Sequence, residues 1–129
     1  MPTTLTLKKN PFLKTLKTVV QNITSQNAIP VLKYVYFDVQ TDKLILKSSN
    51  ATTTLEKIMP VEENILTING QPTTLLIDAK FFLTVANSLN SEYITLIVDD
   101  TKKTITLKTP STEMDLKGLD AAQYPRIKE

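Results

Sequence analysis

Apolar and polar positions alternate along most of this chain, and the alternation gives way twice to a longer period. At 10–23 (NPFLKTLKTVVQNI) the apolar residues Phe12, Leu13, Leu16, Val19, Val20 and Ile23 fall on one stripe of a helix. Asn10 is a candidate cap, and Pro11 a candidate first helical residue, where a missing N–H costs nothing. The second break, 79–89, sets Phe82, Val85, Ala86 and Leu89 on one helical face behind the candidate cap Asp78. Stretches of period two predict strands at 3–8, 32–39, 43–48, 52–59, 64–68, 72–77, 92–98, 104–109 and 112–117. Turn residues separate them, and Asn69-Gly70 is the strongest short hairpin signal among these. The order reads as two βαβββ units, near 1–60 and 61–119. It predicts an α+β fold in which both helices pack on one face of antiparallel sheet.

The outer faces of the two helices would then be neighbours. They carry Lys14, Lys17, Thr18 and Gln21 from the first, and Lys80, Thr84, Asn87 and Ser88 from the second, with no carboxylate. Over the whole chain, 15 basic residues nearly balance 13 acidic ones, so that local asymmetry is not a consequence of bulk charge. All but Arg126 of the basic residues are Lys, a flexible point charge that suits loose phosphate contact better than base reading.

Composition narrows the chemistry. With 129 residues, 41% of them hydrophobic, the chain can build one real core. It has no Cys and no His, which excludes disulfides, thiolate or imidazole metal sites, and Ser–His or Cys–His catalysis. The glycines are Gly70 and Gly118 alone, too few for a glycine-rich phosphate cradle. No run of apolar residues is long enough to span a membrane and no signal core opens the chain, so a cytoplasmic protein is expected. Asp99 and Asp100, flanked by Lys102 and Lys103, read as a solvated turn rather than a cation cage. Tyr34 and Tyr36 could stack bases on a single-strand platform, but sheet packing is the reading preferred for them.

Four stretches carry a resemblance: FLKTLKTVVQNITSQNAIPVL (12–32), LILKSSNATTTLE (44–56), IDAKFF (77–82) and GLDAAQYPRI (118–127). In that order they resemble the N-terminal domain of the bacterial sliding clamp, the beta subunit of the replicative DNA polymerase. The resemblance implies that residues 1–129 form the first of three domains in a protomer, and that two protomers close head to tail around duplex DNA. It implies a processivity factor that catalyses nothing, holds no cofactor and no metal, and tethers the polymerase. Polymerase and the ATP-driven loader would engage domains other than this one. A compact chain of this length has a radius of gyration of roughly 14 Å, a single lobe that could not surround a duplex by itself.

Carried over by position, Lys9, Lys14, Lys17 and Gln21 would face DNA phosphates, as would the loop at Gln26, where relatives often hold Lys or Arg. The strand 112–117 resembles the edge that pairs with the third domain of the other protomer. Glu113, Met114 and Leu116 would lie there, with Lys80 forming ion pairs across the same interface. One face of that strand must be core in any architecture. A second reading is a clamp-like interaction module, or a decoy made by a mobile element, that pairs through this edge with no DNA role of its own. The preference for Lys over Arg points to a low-GC Gram-positive source or one of its mobile elements.

Overall fold

A computed structural model of the chain describes residues 2–23, 33–49 and 54–123. Among these residues nine strands and two helices follow in the order β1 (Thr3–Lys8), α1 (Lys9–Gln21), β2 (Tyr34–Val39), β3 (Lys43–Ser49), β4 (Thr54–Pro60), β5 (Leu66–Asn69), β6 (Thr73–Asp78), α2 (Ala79–Ser88), β7 (Tyr93–Asp99), β8 (Thr104–Lys108) and β9 (Glu113–Lys117). A 3-10 turn, Ala121–Gln123, comes after β9. Among the described residues no helix is long and apolar enough to cross a membrane.

The α+β duplication is present, but it is built from two antiparallel sheets rather than one. The five-stranded sheet runs β5-β1-β7-β8-β9 and the four-stranded sheet β4-β3-β2-β6. Each three-strand meander therefore takes its fourth strand from the other unit: β1 joins β7–β9, and β6 joins β2–β4. The registers match as well. Lys8 lies opposite Tyr93 and Asp78 opposite Tyr34, each at the strand end that turns into a helix.

This exchange overturns the expectation of a hairpin at Asn69-Gly70. The turn exists, with Gly70 at φ +125°, but β5 pairs with β1 and β6 with β2, so it carries the chain from one sheet to the other. The glycine is required there for space as well as for conformation, because a Cβ would come within 3.0 Å of the Thr3 backbone.

The inner faces of both sheets and the apolar stripes of both helices meet in one core. Strand alternation supplies Leu5, Leu7, Val35, Phe37, Leu75, Ile77, Leu96 and Leu107 to it. At its centre the Phe82 ring stands edge-on to Phe12 and to Phe37, with centroids 6.1 and 5.3 Å away. Tyr34 and Tyr36 are on the outer face of the four-stranded sheet, packed with Leu76 and Leu119, as the sheet-packing reading expects.

The helix ends are held in different ways. Asp78 caps α2, its Oδ1 accepting from the Phe81 amide at 3.0 Å. Asn10 does not cap α1. The helix starts two residues earlier, at Lys9; Lys8 occupies the capping position without a side-chain bond, and the Lys9 amide donates to Glu92 O as the strand ladder runs on. The neighbouring strand thus satisfies a donor that a cap would otherwise serve.

A latch after β9 joins the two sheets. Gly118 donates to Lys103 O, and Leu119 exchanges both backbone hydrogen bonds with Leu76 on β6. A Cβ on Gly118 would sit 2.5 Å from Leu76 O, so only glycine allows the chain to cross this closely.

Candidate nucleic-acid interface and edge strand

Helices α1 and α2 lie side by side, joined by the Phe12–Phe82 contact, and their outer faces adjoin. Lys14, Lys17 and Gln21 are exposed at spacings that keep them on one stripe of α1. Lys80, Thr84, Asn87 and Ser88 are exposed on α2. Neither helix contains an Asp or Glu, and the nearby Asp78 carboxylate is occupied by the Phe81 amide. Among the described residues Lys14, Lys17 and Lys80 have no ion-pair partner. Their charges therefore remain available to an anion from outside.

Lys9 is disposed differently from its expected role. Its Nζ donates to Leu89 O at the C-terminal end of α2, so its charge is directed at the negative end of a helix dipole. The corresponding carbonyl of α1, Val19 O, accepts from the buried Ser48 hydroxyl at 2.7 Å. Gln26 lies outside the described residues.

At the other candidate interface, β9 pairs only with β8 among the described residues, leaving its outer edge open. Glu113 is exposed and 3.8 Å from Lys108, and Met114 is 37% exposed. Leu116, expected at the interface, turns its side chain into the core at 7% exposure. Alternation sets Met114 and Leu116 on the same face, but only Leu116 is covered. A residue that the sequence pattern did not single out, Phe81, is 53% exposed beside Lys80. Phe81 falls off the stripe of Phe82, Val85, Ala86 and Leu89, so the helical period itself was a usable signal that its ring faces outward.

In the turn after β7 the Asp99 carboxylate accepts from the Lys102 and Thr101 amides, each at 3.0 Å. The Lys102 bond is the larger cause that holds its pKa below the ordinary 3.8.

Two interlocked βαβββ units with paired helices and an open edge strand define a clamp-type domain. Residues 3–128 match the family model described as the DNA polymerase III beta subunit, N-terminal domain, and the chain belongs to that family. It is 34% identical over 128 residues to the beta sliding clamp of Streptococcus pneumoniae serotype 4, covering 95% of this chain and 32% of the relative. Among solved structures, the DNA polymerase III beta chain of Streptococcus pneumoniae TIGR4 superposes with a TM-score of 0.90 at 31% identity, over 98% of this chain and 34% of that one. The Bacillus subtilis sliding clamp gives the same TM-score at 23% identity, over 100% of this chain and 34% of that one, which supports the fold. The chain spans about a third of the length of the curated relatives it matches.

Proposed function

We propose that this chain acts as the first domain of a three-domain DNA sliding clamp, a non-catalytic cytoplasmic processivity factor that encircles duplex DNA and tethers the replicative polymerase. The observation that carries this reading is the adjoining outer face of α1 and α2, which bears Lys14, Lys17 and Lys80 and no carboxylate. A sliding tether needs phosphate attraction without commitment to one register, which means few contacts on long stems. Lys14 and Lys17 supply the charge, with Gln21 on their stripe and Gln26 given the same role by the family resemblance, while Lys9, turned toward Leu89 O, acts from the rim. The β9 edge, with Glu113, Met114 and Lys80 nearby in the family's interface, offers its backbone to the third domain of a second protomer. Leu116 contributes to that interface through its main chain. Polymerase and loader bind the other domains.

The test is equilibrium binding of the chain to a short labelled duplex, read by fluorescence anisotropy across a salt series. Binding should be independent of sequence, with Kd on the order of 10⁻⁴ M or weaker at physiological salt. Removing one lysine that neutralises a phosphate should reduce the slope of log K against log salt by about 0.9, so Lys14→Ala with Lys17→Ala should flatten it by about 1.8. An unchanged slope and affinity in the double variant would remove those residues from the interface. Should the chain bind a separately expressed third clamp domain yet show no duplex binding even at low salt, a protein-interaction role is the better account.

A further inference from the structure

Lysines are not the only polar groups on the helical face. Thr15, Thr18, Thr84 and Ser88 carry hydroxyls there, the kind of group that often donates to phosphate oxygens. In this fold each of the four is turned back onto its own helix. Thr15 Oγ1 donates to Pro11 O at 3.1 Å, Thr18 Oγ1 to Lys14 O at 3.1 Å, Thr84 Oγ1 to Lys80 O at 2.9 Å, and Ser88 Oγ to Val85 O at 2.7 Å. A hydroxyl has one proton. Once that proton is spent on a helix carbonyl, only oxygen lone pairs and methyl groups face outward, and a phosphate oxygen is not attracted to either.

We infer that these hydroxyls are withheld donors, which leave the DNA-facing surface with lysine charge and, as neutral side-chain donors, the amides of Gln21 and Asn87 rather than short hydroxyls fixed close to the helix. The inference rests on the DNA-facing reading proposed for this surface. It deepens that reading by dividing the surface into residues that attract phosphate and residues that decline to hold it. The physical consequence is a shallow energy profile as a duplex advances. An ammonium on a four-carbon stem can pass from one phosphate to the next, whereas a short hydroxyl fixed to the helix would favour one register.

The same duplex titration tests it with Thr18→Val, Thr84→Val and Ser88→Ala combined, and with Thr18→Val alone in case the combined variant folds poorly. Circular dichroism checks the fold of each. Both variants should bind within about twofold of the parent Kd, with the salt slope unchanged. A hydroxyl that did donate to phosphate would be worth about tenfold or more in Kd, so a loss of that size in either variant overturns the inference. The Lys14→Ala, Lys17→Ala protein separates the two claims. If it binds like the parent, the DNA-facing reading fails and takes the inference with it; if it loses affinity and the hydroxyl variants do too, the inference alone fails.

Discussion

The two helices stand at equivalent places in the two units, yet the charges on their outer faces do not correspond. Inward, Phe12 answers Phe82 and Val19 answers Leu89, counted from the matched ends of β1 and β6. Outward, α1 has Lys14 and Lys17 where α2 has Thr84 and Asn87, and α2 has Lys80 where α1 has Asn10. Buried positions are constrained by the same packing problem solved twice, because volume and shape must match a shared core. Outer positions answer to whatever approaches from solvent. The terminal carbonyls show the intermediate case: Val19 O and Leu89 O are both bound by a side chain, one by a Ser48 hydroxyl and the other by a Lys9 ammonium.

That comparison can be broken at several points. Phe82→Ala removes the ring touching both Phe12 and Phe37, and should cost about 3–5 kcal/mol in chemical denaturation. Phe12→Ala should cost less, and the reverse order would move the centre of the core from α2 to α1. Gly118→Ala forces a Cβ against Leu76 O and Leu75, and should cost about 1–3 kcal/mol in the same assay. Ser48→Ala leaves Val19 O with only the longer bond from the Asn22 amide, at 3.2 Å, and should cost about 1 kcal/mol by thermal melting. Lys9→Met tests the equivalent bond in the other unit and should fall at or below that value. A Lys9→Met protein as stable as its parent would leave the two helix ends unequal in energy despite their shared geometry.

The smallest effect belongs to the Asp99 turn, present in one unit only. Its pKa is lower folded than unfolded, so the stability it adds is fully present above pH 3.8 and disappears as pH falls through the lower folded value. Asp99→Asn should therefore narrow the difference in stability between neutral and strongly acidic solution, read from urea midpoints at each pH.

Much of this was legible in the sequence where the signal is local. The stripe from Phe12 to Val20, the Asp78 cap and the alternation of β2 and β7 each follow from residue type and period. What did not follow was pairing at a distance. Asn69-Gly70 specifies a turn but not the strand each arm will join, and the choice of β1 and β2 as partners is decided by the core as a whole. Asn10 failed as a cap because the continuing ladder at Lys9 had already satisfied the donor. Leu116 and Met114 look alike in the chain, and only the position of the strand's end separates the buried one from the exposed one. The direction of the Thr18 and Thr84 hydroxyl protons is a rotamer choice that no pattern of letters records.

The strand exchange between the two units also bears on how the molecule could be taken apart. Neither half possesses a complete sheet, since each has lent a strand to the other. Severing the chain in the exposed connection between β4 and β5 should yield two pieces that stay incompletely folded when alone and regain native structure on mixing. Complementation of that kind would show the duplication to be a mutual dependence between halves, with cooperativity built into the topology rather than added by any one contact.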